Sequence, residues 1–388
     1  MIRRSYDAIV LGLGGIGSGA AYWLAKRGAS VLGLEQFEFR HARGESHDHT
    51  RIIRLSYHAP EYVRLAKEAF AAWNSVESEG RTRLVYKTGG LDLGPRNGAI
   101  PLEGYAAAMR ACNVEFEELD AAAIRERYPQ FRICDDVHGL FQADGGFVAA
   151  ERATATHQSL AREWGAELLE RTPVRRLESL GGEIVVETDS ERYSARSLVI
   201  AAGPWSAWAL QQFDVRIPIE VTKEQPMYFR PRDLEPFRAE RFPVWIWMDD
   251  PSFYGFPVFG EPAVKVAQDA GGKAVDPDTR GFEPDSDITA RVHQFLERHL
   301  PCAVGPEHLV KTCLYTLTPD RDFVLDTLEE HPNVHVAIGA GHAFKFASVI
   351  GRILGDLAMD GRTSSDIGAF AIDRKILKMQ QPPKSYMV

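Results

Sequence analysis

The stretch from Tyr6 to Gly17 constrains this chain more than any other. Ala8 to Leu11 is a short apolar run that reads as a buried strand. It enters a G-x-G-x-x-G turn made by Gly12, Gly14 and Gly17. A helix is expected from Ser18 to Arg27, with Ala20, Ala21, Leu24 and Ala25 on its packed side. After Gly28 a second apolar run, Ser30 to Leu34, closes on Glu35. Gly12 permits the tight turn, Gly14 lets the backbone approach a pyrophosphate, and Gly17 lets helix and strand pack closely. The helix N-terminus offers free N–H groups to the anion. Glu35, at the tip of the second strand, can accept hydrogen bonds from ribose hydroxyls. An acid there disfavours a 2′-phosphate, so FAD or NAD is expected rather than NADP.

A chain of 388 residues is long for one domain, and two intertwined domains are expected. The net charge of −9 comes without a strongly basic block, which argues against nucleic acid as a partner. The apolar runs are strand-length, so no membrane span is expected. Arg3 and Arg4 precede the nucleotide-binding strand, and no small-residue cleavage site follows, so no signal peptide is read. The four cysteines, Cys112, Cys134, Cys302 and Cys313, are scattered. Free thiols, a reducing cytoplasm and no metal site are expected.

Helices are expected over 61–79, 101–111, 120–127, 151–164, 288–299 and from Phe346 to Asp360. Strand material broken by Gly89-Gly90 is expected over 84–94, and short strands at 167–171, 175–178, 184–188, 197–202 and 334–338. Antiparallel strands are expected over 215–230, 243–248, 252–259 and 263–268, and a loop over 269–287. Nucleotide-type elements thus sit at both ends and in the middle, with β-rich insertions between. A nicotinamide enzyme usually keeps its nucleotide domain as one block. The separated pattern fits a flavoprotein.

Four further motifs converge. They are Gly44-Glu45-Ser46-His47-Asp48-His49-Thr50-Arg51-Ile52-Ile53-Arg54, Tyr254-Gly255-Phe256-Pro257 with Lys265 beyond it, Lys311 to Asp320 around Cys313, and Gly339-Ala340-Gly341-His342-Ala343-Phe344-Lys345-Phe346. Together they resemble the monomeric sarcosine oxidase and N-methyltryptophan oxidase family of flavin-dependent amine oxidases, from Tyr6 to about Asp373. The resemblance implies an α/β (α+β) protein. A Rossmann-like FAD-binding domain would be assembled from 1–82, 148–214 and 310–388, and a β-sheet-rich substrate-binding domain from 83–147 and 215–309.

Taken alone, Cys313 reads as a buried free thiol; the resemblance implies a thioether from it to the 8α carbon of FAD. Arg54 and Lys345 are cations in apolar sequence, which need anionic partners. The resemblance implies that they hold the substrate carboxylate, Arg as a fork and Lys as a point charge. Lys265 lies in an alternating strand whose period cannot say which way it faces. The resemblance places it near flavin N5, where its charge favours O₂ reduction. Arg51 matches a second cation at the flavin face, and Ser46 and Thr50 match residues that help hold the cofactor. Val174, Ala202, Gly203, Trp205, Gly339 and Gly341 are the remaining expected cofactor contacts, while His342, Tyr254 and Tyr315 match residues lining the substrate cavity.

Two departures stand out. The family's histidine four residues after the lysine is Asp269 here, and Ala343 replaces a glycine. The bulky run Trp245-Ile246-Trp247-Met248 is expected to line or roof the cavity. The implied reaction is oxidation of a secondary amine of N-methyl or cyclic amino-acid type by a cytoplasmic monomer, with O₂ reduced to H₂O₂. A flavin amine dehydrogenase using another acceptor, or a non-catalytic flavin-binding subunit, are the alternative readings.

Overall fold

A computed structural model describes residues 4–383 and Ser385; Arg3 lies outside the described residues. The first strand, Arg4–Leu11, is parallel to Val31–Leu34 on one side and to Arg192–Ile200 on the other. Glu167–Leu169 extends the sheet beyond Val31–Leu34. At its far edge Arg192–Ile200 forks. Its N-terminal half pairs antiparallel with Glu183–Thr188, and its C-terminal half runs parallel to His331–Ile338. Val10, Ile9, Leu32, Leu198 and Val336 are wholly buried, as a sheet covered on both faces requires. The helices Gly15–Lys26, Ala150–Glu163 and Ala347–Asp360 pack together over one face.

A second eight-stranded sheet runs in the order 307–310, 227–229, 264–268, 253–256, 244–247, 90–95, 137–142, 117–120. Its alternation divides the side chains cleanly. Trp245, Trp247, Phe253, Val264 and Val266 join one core cluster with Phe295 of the helix Ser286–His299. Ile246, Tyr254, Phe256 and Lys265 point the other way, as period 2 dictates. The bulky run therefore does not roof the cavity as a block: Trp245 stacks on Phe295 with ring centroids 5.6 Å apart, and only Ile246 reaches the cavity.

Several expectations are corrected in detail. The segment 215–230 is not one strand but two, Glu220–Glu224 and Met227–Phe229, in different sheets. Pro226 lies between them and has no N–H to continue a ladder. Val244–Trp247 is antiparallel to Phe253–Phe256 but parallel to Gly90–Pro95. The expected loop contains a two-residue strand, Lys273–Ala274. Lys345 sits on a 3-10 turn, Ala343–Phe346, ahead of the last long helix. A small sheet places Gly146–Ala149 between Thr50–Ile53 and Val85–Lys87, so it takes strands from both sides of residue 82/83. No helix among the described residues is long and apolar enough to cross a membrane.

Candidate active site

Parallel strands end together, and ligands of open α/β sheets sit at their carboxyl ends. Here the ends of Arg4–Leu11, Val31–Leu34, Arg192–Ile200 and His331–Ile338 border a cavity of about 370 Å³. Gly12, Gly14, Glu35, Ser46, Val174, Ala202, Gly203, Trp205 and Gly339 all line it. Gly12 has φ +86°, which only glycine adopts without strain. Gly17 lies behind the lining, where a Cβ would fall 1.8 Å from the Gly12 carbonyl oxygen. Gly14, the N-cap of the helix Gly15–Lys26, supplies no capping side chain, which suits an external anion at the first turn. The Glu35 carboxylate accepts from Leu13 N at 2.9 Å and from Phe37 N at 3.1 Å. It braces the glycine turn while facing the cavity. Ser46 Oγ accepts from Gly15 N at 2.8 Å. The glycine cradle, the helix N-terminus and the acid fit a dinucleotide.

A second, inner cavity of about 100 Å³ adjoins the first, and Ile16, Glu45, Ser46 and Gly339 line both. Its walls include Arg51, Arg54, Tyr254, Tyr315, Gly341, His342 and Lys345. The structure thus brings together residues from four distant segments. Arg54 and Lys345 flank one ring: the guanidinium carbon lies 5.1 Å and the ammonium 5.9 Å from the Tyr57 centroid. Their settings differ. Arg54 donates to Asp92 Oδ1 at 2.7 Å, with both side chains buried. No carboxylate among the described residues pairs with Lys345 in this way; burial, and Arg54 next, push its ammonium down to about 7. His342 Nε2 lies 2.8 Å from the Arg321 carbonyl oxygen, so that nitrogen donates, and burial keeps the ring neutral. The Tyr254 and Tyr315 hydroxyls stand 3.5 Å apart.

Thr50, Cys313 and Lys265 lie outside both linings. Cys313 shares a face of Cys313–Leu317 with Tyr315, and burial pushes its thiol up to about 12. Lys265 is 3% exposed and contacts the Thr50 carbonyl at 3.0 Å and Asp48 at 2.6 Å. Arg51 donates to the carbonyls of Thr50, Glu45 and His47 at 2.7–2.9 Å, which ties the whole Gly44–Arg54 segment around one guanidinium.

Sequence reasoning missed four charged residues. Asp48 and Asp92 are the buried partners of Lys265 and Arg54. Glu45 stands where the two cavities meet, and burial raises its carboxyl to about 7. Arg321 pairs with Asp269 at 2.8 Å. Asp269 is therefore already neutralised from within the chain, rather than waiting for a cationic ligand. It lines both the inner cavity and an outer one of about 600 Å³. An acid inside an apolar strand, as in Leu91-Asp92-Leu93, was the one available signal.

FAD dependent oxidoreductases of the DAO family match residues 7–357, most of the chain. The protein belongs to the DAO family of FAD-dependent oxidoreductases. Among its relatives, monomeric sarcosine oxidase of Streptomyces avermitilis is 36% identical, over 94% of this chain and 97% of its own. N-methyl-L-tryptophan oxidase of Salmonella arizonae is 32% identical, over 95% and 99%. The solved structure of NikD, "an unusual amino acid oxidase essential for nikkomycin biosynthesis", matches with a TM-score of 0.86 and 29% identity, covering 98% of this chain and 100% of that one. This DAO-family chain is a flavoenzyme whose two cavities share Ile16, Glu45, Ser46 and Gly339 in their linings.

Proposed function

We propose that the protein oxidises a secondary amine of N-methyl or cyclic amino-acid type, sarcosine-like, and passes the electrons to O₂. The imine hydrolyses to an aldehyde and an amine, and H₂O₂ is released. The observation that carries this reading is the placement of Arg54 and Lys345 in the wall of a small cavity that adjoins the nucleotide cavity.

FAD, when bound, supplies the hydride acceptor and the route of electrons to O₂. The rest is the work of this chain. Arg54, fixed by Asp92 and Tyr57, holds its guanidinium in a set direction at the cavity wall. Lys345 adds a charge that a carboxylate would restore by raising its pKa. A substrate gripped at its carboxylate turns its α-carbon and N-substituent toward the boundary with the nucleotide cavity. Ile246, Phe256, Tyr254 and Tyr315 exclude water from that volume. No strong base is needed, because cations around the site favour binding of the unprotonated amine. Lys265 would stabilise the negative charge that develops on O₂.

Further parts of the reading rest on the family resemblance. Cys313 would carry FAD through a thioether. Segments 1–82, 148–214 and 310–388 would hold the cofactor, and 83–147 and 215–309 the substrate. The protein would act as a monomer in a reducing compartment such as the cytoplasm. The Asp269–Arg321 pair, at the wall shared with the outer cavity, makes substrates other than sarcosine itself the better candidates. The test is an amine panel with peroxide detection under air. Peroxide from N-methyl or cyclic amino acids, but not from the same amines without a carboxylate, is expected. Equal turnover of both sets removes the carboxylate grip, and flavin bleaching without peroxide would mark a dehydrogenase.

A further inference from the structure

Asp48 is a buried carboxylate held by three side chains. It is 4% exposed and sits at φ +85° inside the Gly44–Arg54 segment. One oxygen lies 2.6 Å from the Lys265 ammonium. The other accepts from the Tyr228 hydroxyl at 2.6 Å and from Lys311 Nζ at 2.9 Å. The Lys265 side chain is 3% exposed and that of Lys311 is 26% exposed. A single buried carboxylate thus faces an enclosed ammonium on one side and a solvent-reaching ammonium on the other.

Two cations sharing one anion leave a surplus positive charge, and an enclosed ammonium survives as a cation only while a counter-charge is at hand. Resting on the oxidase reading above, we propose that Asp48 is a positioning residue that sets the charge of Lys265, with Lys311 as its counterweight. Asp48 holds Lys265 protonated. Lys311 draws part of the carboxylate's field toward the surface and so limits that hold. In reduction of O₂ to H₂O₂, two electrons come from reduced flavin and two protons are taken up. The first electron makes an anion, and Lys265 contributes charge there while keeping its own proton.

The groups facing Lys265 support this arrangement. Asp48, His47 and Arg51 come from the Gly44–Arg54 segment, Tyr228 from Met227–Phe229, Lys311 from the turn before Cys313–Leu317, and Cys313 from that strand. Burial lowers Lys265 to about 8, with Asp48 opposing and Arg51 adding to the fall. Burial would raise the Asp48 carboxyl, but Lys265, Arg51 and Lys311 hold it well below the usual range.

The test measures two things on the flavin-loaded enzyme. The first is the titration of Lys265, read by NMR of [¹³Cε]lysine-labelled protein and assigned with Lys265→Met. The second is the rate of reoxidation by O₂ against pH. Asp48→Asn removes the anion but keeps a side chain that tolerates positive φ. It should lower the Lys265 midpoint by roughly 1–3 units, with fast reoxidation confined to correspondingly lower pH. Lys311→Met, at a partly exposed position, should move both midpoints upward. Opposite shifts support the proposal, since a merely structural role predicts no such sign reversal. An unchanged Lys265 midpoint in Asp48→Asn, or shifts of one sign in both variants, overturns it. If the NMR midpoints move as stated while reoxidation ignores them, the Asp48–Lys265 coupling stands and the oxygen role of Lys265 falls.

Discussion

Arg54 and Lys345 carry the same formal charge in different settings. Arg54 is balanced by Asp92, and Lys345 is enclosed with no carboxylate among the described residues paired to it. Removing one partner of a buried pair strands the other, so Arg54→Ala should cost roughly 3–5 kcal/mol of stability. It should also weaken binding of small carboxylates by roughly 30-fold or more. Arg54→Met with Asp92→Asn should restore most of the stability and none of the affinity, which separates fold from binding in one pair of melting and titration curves. Lys345 predicts a pH signature. Its ammonium binds the anion, so carboxylate affinity should fall as pH rises through about 7, and Lys345→Met should abolish that dependence. The sign for stability follows by linkage. The folded pKa is depressed below that of an unfolded lysine, so above pH 7 the unfolded state binds more protons and stability rises with pH. Lys345→Met should therefore raise the melting temperature most below pH 7, with the gain fading toward pH 10. A variant that melts lower at pH 6 contradicts this reading. For Cys313, acid precipitation should leave the pellet yellow, and Cys313→Ala should release the flavin to the supernatant. Release from the native protein removes the tether.

Elements built on local rules were legible and elements built on distant pairing were not. The strand, glycine turn, helix and acid at the N-terminus could be read because each depends on neighbours in sequence. Gly17 shows how tight that unit is. A Cβ there meets the Gly12 carbonyl oxygen at 1.8 Å, whereas a Cβ at Gly28 meets nothing within 4 Å and suffers only its φ of +87°. Gly17→Ala should thus yield protein without flavin, while Gly28→Ala should cost about 1 kcal/mol and keep its colour. Equal flavin content in the two would show that the turn does not hold the nucleotide. By contrast, Gly146–Ala149 is buried on every residue and shows no alternation, so nothing local marks it as the middle of a sheet. The parallel pairing of Val244–Trp247 with Gly90–Pro95 joins segments far apart in the chain, and no turn sets its register. Pro226, which splits one expected strand into two sheets, was a local signal that the apolar alternation masked.

At the scale of the whole molecule, two cavities meet where Ile16, Glu45, Ser46 and Gly339 form a common wall, and this junction orders the account. Ser46 and Gly339 at this junction could be read from motifs that recur in a known family, whereas Glu45 beside them was not read as a site residue. The electrostatic partners Asp48, Asp92 and Arg321 could not be read, because they act across contacts between remote segments. Nothing in the spacing of a buried lysine names the carboxylate that keeps it charged. As proposed, an amine bearing an α-carboxylate, held in the inner cavity, reduces a flavin held in the nucleotide cavity. Anaerobic mixing of the yellow protein with N-methyl and cyclic amino acids tests it most directly. Such a substrate should bleach the flavin, the decarboxylated amine should not, and admitting air should restore the colour with one H₂O₂ per flavin. Bleaching by the decarboxylated amine as fast as by the amino acid would contradict the proposal, as would a flavin that no amino acid of this class reduces.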